Sequence, residues 1–175
     1  MSEFDVVPSD LEERLTPGPF TASIPRLAEL KARAVGAARR DAVIVAADTM
    51  VVVDDDALGK PGDVVEAAAM LRRLRGRAHD VITGVAVLDA ASGRTWAVPE
   101  ITRVVMAAYP DALVDRYVAS GAPLDKAGAY AIQDLDGALV AAVIGSYTNV
   151  VGLPLALTAR LLREAGVPLN APSSS

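Results

Sequence analysis

The stretch "AVIVAADTMVVVD", residues 42–54, constrains the fold more than any other. It is a run of small and β-branched apolar residues, the composition of a buried strand. One carboxylate, Asp48, interrupts it. Burying a carboxylate costs several kcal/mol unless the charge is paired or neutralised. The chain must therefore build a sheet core around an acid and answer its charge. The run reads as two buried strands, 42–48 and 50–54, with a turn region beyond at Asp54, Asp55, Asp56, Gly59 and Pro61. Asp48 then has two readings. It bonds local backbone N–H groups at a strand end, or it stands at the mouth of a sheet, where α/β ligand sites lie. In the second case it could hold a divalent cation or activate a water.

The remaining segments alternate between helical and strand patterns. "FDVVP" (4–8) reads as a short strand and 9–23 as a loop around Pro17, Gly18 and Pro19. A helix is expected over 24–40, with Ser23 as N-cap, Pro25 near the first turn, and Leu27, Leu30, Ala34 and Ala38 on one face. Asp63 caps a second helix, 64–76, with Val64, Ala68, Leu71 and Leu74 as its stripe. Arg72, Arg73, Arg75 and Arg77 crowd its C-terminal end, where cations are favoured. Strands follow at 79–90 and 93–107 around a Ser92-Gly93 turn, then a helix at 110–120, a strand at 137–145 and a helix at 154–166. The order predicts an α/β or α+β domain with a largely mixed sheet. With 52% hydrophobic but only 4% aromatic residues, Ala, Val and Leu must fill the core.

Composition also excludes. The absence of cysteine removes disulfides, zinc–thiolate sites and cysteine nucleophiles. One histidine, His79, rules out His-rich metal centres and reads as structural, or as support for a site residue. A net charge of −5 argues against nucleic acid or an anionic membrane as partner. No apolar run reaches the length of a membrane span and "MSEFDVVPSD" lacks the pattern of a signal peptide, so a cytoplasmic protein is expected.

Three further stretches carry candidate chemistry. Lys60, in "GKP", is one of only three lysines; it reads as a solvated loop lysine or, on a rigid turn, as a fixed cation presented to phosphate. "PLDKAGAYAIQ" (123–133) sets Asp125 and Lys126 before small residues that admit close backbone approach, and ends in Gln133, whose amide can read a base edge. Its bland reading is a helix start capped by Asp125. "GSYTNVVGLP" (145–154) reads as a helix start able to bind an anion, or as an ordinary turn with Asn149 in an Asx turn. The acids 54–56 read as a solvated turn. P-loop, dinucleotide-fold and α/β-hydrolase motifs are absent.

Taken in order, "VVPSDLEE" (6–13), "AADTMV" (46–51), "GKP" (59–61), "LRGRAHDVITGVAV" (74–87), "PLDKAGAYAIQ" and "GSYTNVVGLPL" (145–155) resemble the Maf family of nucleoside triphosphate pyrophosphatases. The resemblance implies an inosine-triphosphatase-like α/β fold. That fold has an elongated mixed sheet flanked by helices and a cleft between two lobes, here as one domain over 1–169 with a disordered tail at 170–175. It implies hydrolysis of the α–β phosphoanhydride of dTTP or UTP, and possibly of modified nucleotides, to a monophosphate and pyrophosphate. It implies a divalent cation, Mg²⁺ or Mn²⁺, and a homodimer. By position it makes Asp48 the proton acceptor, with Glu13 and Lys60 as further catalytic groups. Asp48 and Glu13 become the metal ligands, and Thr49, Gln133 and Lys126 the substrate-binding residues. The Thr49/Gln133 combination is similar to the branch that prefers dTTP and UTP.

The sequence departs from the family at its start. Members open with a strand, an S-x-S-P-R-R loop and a helix, about twenty residues with no match here. "SIPR" (23–26) precedes a later helix and is not that loop. The expected explanations are a start codon called too far downstream or a true truncation. The alternative function is a nucleotide-binding module with impaired turnover.

Overall fold

The computed structural model describes residues 4–11 and 14–169. Five strands form one sheet in the order β2-β1-β3-β4-β5: β1 Val43–Val53, β2 Asp56–Leu58, β3 Ala78–Asp89, β4 Thr95–Met106 and β5 Val140–Ile144. Around them lie helices α1 Phe20–Gly36, α2 Val64–Leu74, α3 Asp111–Ala119, α4 Tyr147–Val151 and α5 Leu155–Glu164. The α/β class agrees with the sequence, but the sheet is antiparallel rather than mixed. Each directly resolved pairing is a hairpin or a return strand, and none needs a parallel crossover.

Other boundaries differ for physical reasons. The two strands expected at 42–48 and 50–54 are one, β1. Thr49 is an ordinary strand residue within it, and its hydroxyl meets that of Thr83 at 2.8 Å. The triple aspartate is a tight hairpin turn: Val53 pairs with Asp56, and Asp54 and Asp55 hold φ of 53° and 60°. Two-residue hairpin turns of type I′ require positive φ at both central positions, where Asp is tolerated. Two of the three acids are ion-paired rather than merely solvated, Asp54 to Arg77 and Asp56 to Arg73, each at 2.6 Å. Arg72 and Arg75 bond Asp111 at 3.1 and 2.9 Å, which holds that carboxyl below its usual range. Residues 4–8 form no strand; Phe4 and Val6 are exposed. The 170–175 tail lies outside the described residues.

The chain divides into two compact units. One takes residues 1–48, 84–99 and 155–175. In it, β3 is buried on both faces, because its side chains alternate. Ala86 and Leu88 pack with Ala28 and Ala32 of α1, whereas Val85 and Val87 pack with Leu157 and Leu161 of α5. α1 approaches β3 so closely that a Cβ on Gly84 would lie 2.4 Å from the Pro25 nitrogen. α1 starts at Phe20 rather than after Ser23. Pro25 lies inside the helix, and its nitrogen, which carries no proton, faces the strand without leaving a donor orphaned. Ser23 is buried in the helix rather than capping it.

The second unit takes residues 49–83 and 100–154. Val51, Val53, Val81, Val104 and Met106 form its sheet floor, on which Leu71 and Leu74 of α2 and Val114, Tyr117 and Val118 of α3 pack. α2 begins as expected, with Asp63 accepting from the Glu66 N–H at 2.8 Å. Glu66 reaches back to the Gly62 N–H at 2.7 Å, so the two carboxylates satisfy donors at both sides of the cap. Residues 122–129 are two 3₁₀ turns rather than a helix capped by Asp125.

Candidate active site

Asp48 lies within β1 and is 8% exposed. Its charge is answered from α1, where the Lys31 ammonium bonds its carboxylate directly. Lys31 lies on the helix face that also buries Leu27, Ala28 and Ala32. Both partners are well shielded, with side chains 13% and 7% exposed. This pair resolves the cost that Asp48 raised at the outset: a buried acid is tolerable opposite a buried cation. Neither the strand-end reading nor the sheet-mouth reading of Asp48 named this cation.

The sequence held one signal for Lys31. A lysine among three in the whole chain sits at helical spacing from Leu27 and Ala28. The expected stripe of Leu27, Leu30, Ala34 and Ala38 hid it, because that stripe is rotated from the true one. Ile24, Leu27, Ala28, Ala32 and Gly36 are buried, whereas Ala34 and Ala38 are exposed. "SIPR" is part of this same helix. Arg26 pairs with Glu29 at 2.6 Å and Ser23 is buried, so the segment forms no anion-binding loop.

The other expected residues fall in the second unit, except Glu13, which lies outside the described residues. Thr49 shares its hydroxyl with Thr83 and approaches the Gly152 carbonyl at 3.4 Å. Lys60 is exposed on the turn after β2. That turn is tied to the 127–129 segment by a Gly128 N–H bond to the Gly59 carbonyl at 3.0 Å. Gly128 makes the approach possible, with φ of 68° and no Cβ to strike Val51. Lys60 thus comes near Asp125, whose carboxyl is held below its usual range first by Lys126 and in part by Lys60. Lys126 is turned inward, with its ammonium donating to the Ala122 carbonyl at 2.6 Å and to Asp125 at 2.8 Å. Gln133 is exposed and lines an open groove of about 460 Å³ with Ile132, Asp136, Val140, Val143 and Tyr147.

Two polar clusters support these segments from below. His79 is 2% exposed and its Nε2 meets the Tyr130 hydroxyl at 2.8 Å, which seats the "AYAIQ" segment on β3. Burial, with Arg103 adding to it, lowers the His79 pKa to about 4, so the ring is neutral near pH 7. Asn149 does not form the expected Asx turn. Fully buried, it donates its amide to the Val81 carbonyl and the Thr102 hydroxyl, each at 3.0 Å, while Ser146 caps α4. Both side chains act through tertiary contacts, which local sequence does not encode. The Asx reading assumed that an Asn beside a turn bonds its own backbone.

A model of the family described as Maf-like protein matches residues 1–165. A protein named dTTP/UTP pyrophosphatase from Anaeromyxobacter dehalogenans (strain 2CP-C) is 51% identical over 168 residues, 94% of this chain and 84% of its own. One of the same name from Pelotomaculum thermopropionicum is 49% identical over 140 residues, covering 80% and 73%. Another, from Nitratidesulfovibrio vulgaris (strain Hildenborough), is 46% identical over 173 residues, covering 95% and 80%. With the family model spanning nearly its whole length, the chain belongs to the Maf family.

Proposed function

We propose that the chain is a nucleoside triphosphate pyrophosphatase that hydrolyses dTTP and UTP to the monophosphate and pyrophosphate. The observation that carries this reading is a buried Asp48 held by Lys31, in a chain whose relatives bear that activity in their names. Those names also favour turnover over a binding module without it.

In the proposed reaction a water oxygen bonds to the α-phosphorus and the bond from that phosphorus to the α–β bridging oxygen breaks. The electron pair stays on the departing pyrophosphate. Asp48 takes the proton from the attacking water, and Lys31 fixes the orientation of its carboxylate. Lys60 offsets charge on the leaving group. Gln133 offers both a donor and an acceptor to the imide edge of uracil or thymine.

A divalent cation, Mg²⁺ or Mn²⁺, belongs to the same proposal. No three His, Asp or Glu side chains among the described residues form a metal-holding group. Asp48, a buried carboxylate, would hold such a cation together with the substrate's phosphates, since Mg²⁺ sites of this kind need only one or two carboxylates. Glu13 is the second proposed ligand. When bound, the cation supplies charge neutralisation at the phosphates. A cytoplasmic homodimer completes the proposal; no helix among the described residues is long and apolar enough to cross a membrane.

The test is pyrophosphate release from a panel of nucleoside triphosphates by the full chain with Mg²⁺ or Mn²⁺. Release from dTTP and UTP well above that from ATP and GTP is expected. Release from no triphosphate, by protein shown to be folded, would refute the reading.

A further inference from the structure

Gln133 opens a strained turn. The two residues after Asp134, Leu135 and Asp136, hold φ of 53° and 54°. Asp tolerates that conformation, but a leucine keeps it only where its surroundings over-determine it, and such strain gathers at ligand clamps. The restraint here is Asp134. Tyr117, 3% exposed on α3, donates its hydroxyl to the Asp134 carboxylate. The Lys126 ammonium, itself fixed by the Ala122 carbonyl and Asp125, stands 4.0 Å from the same carboxylate. Burial, and then the carboxylate, push the Tyr117 pKa up, so the phenol remains a donor throughout the neutral range. Asp134 is thus gripped from a helix and from a separate turn, one residue from the amide that lines the groove.

We propose that Tyr117 and Asp134 are positioning residues that set the Gln133 amide in its groove and so determine which base the site accepts. The proposal rests on the reading of Gln133 as the base-reading residue. A freely rotating amide offers donor and acceptor in either order and therefore accepts either complement. Uracil presents a carbonyl beside an imide N–H, whereas cytosine presents an amino group beside a bare nitrogen. Only an amide held in one orientation tells them apart. An anchor lost at Asp134 then appears as lost discrimination between UTP and CTP, which a merely structural role would leave alone.

The experiment measures kcat and KM for UTP and CTP in the full chain. It compares wild type with Gln133→Ala, Tyr117→Phe, Asp134→Ala and Asp134→Asn. Affinity for a non-hydrolysable UTP analogue is a second readout, and melting is followed in parallel. Gln133→Ala is expected to raise KM for UTP about tenfold, the worth of one good polar contact, and to narrow the UTP/CTP ratio. Tyr117→Phe and Asp134→Ala are expected to do the same to a lesser degree, with kcat changing less than KM. Asp134→Asn keeps an acceptor for Tyr117 and is expected to restore most of the ratio. Two separate variants probe the anchor, so a folding defect in one leaves the other to decide. A ratio lost in Gln133→Ala but intact in Tyr117→Phe or Asp134→Ala would overturn the proposal. A ratio unchanged in Gln133→Ala would instead remove the base-reading role, and the anchor's function with it.

Discussion

Asp48 and Lys31 form a pair whose worth depends on both members. Removing one partner of a shielded ion pair leaves the other buried and uncompensated, at a cost of about 3–5 kcal/mol. Lys31→Met is therefore expected to lower unfolding stability by about that much in denaturant titration, and to reduce kcat because Asp48 loses its orienting group. The double variant Lys31→Met, Asp48→Leu should regain most of the stability and stay inactive, since apolar residues often replace a buried pair without loss. A double variant no more stable than Lys31→Met would show that the pair does not set the stability of this site. At this scale the sequence made Asp48 legible, because an acid in an apolar run demands an answer. It did not reveal Lys31, which lies 17 residues away on another element. Nor did it reveal the grips on Asp134, which come from α3 and from the turn at Lys126.

Elements were most legible where the pattern was local. The Asp63 cap, the Arg-rich end of α2 and the Ser92-Gly93 turn follow from nearest neighbours, and each appears where expected. α1 is the counter-example. Its buried face lies against β3, closest at Gly84, and Ser23 is buried rather than capping it. Gly84→Ala would press a methyl into the Pro25 and Ile24 backbone, at 2.4 to 2.6 Å. Backbone cannot swing aside as a side chain can, so a loss at the upper end of the overpacking range, about 3 kcal/mol or more, is expected in denaturant titration. Wild-type stability in Gly84→Ala would mean that α1 and β3 are not in such close contact. β1 belongs to the same class: Asp48 is paired with Lys31 of another element, and the hydroxyl of Thr49 beside it with Thr83.

For the whole molecule, pH dependence follows from a single side chain. His79 is the only histidine, so between the carboxylate range and neutrality it is the principal titrating side chain. Its pKa is about 4 in the folded chain, against the ordinary 6.5 of a free imidazole. Over that window the unfolded chain binds a proton that the folded chain refuses. Stability is then fully present above about pH 6.5 and declines as pH falls towards 4. The total is roughly 3 kcal/mol. Denaturant midpoints measured from pH 7 to 5 should show this slope in wild type and a flatter line in His79→Asn. Equal slopes would mean that His79 is not buried as a neutral ring. The role of Asp48 as proton acceptor is tested by the rate of pyrophosphate release from dTTP and UTP by Asp48→Asn, at a temperature where the variant and wild type are both folded. A loss of about 10²- to 10⁴-fold, the usual worth of a general base, is expected; a variant that retains the wild-type rate would remove Asp48 from the chemistry.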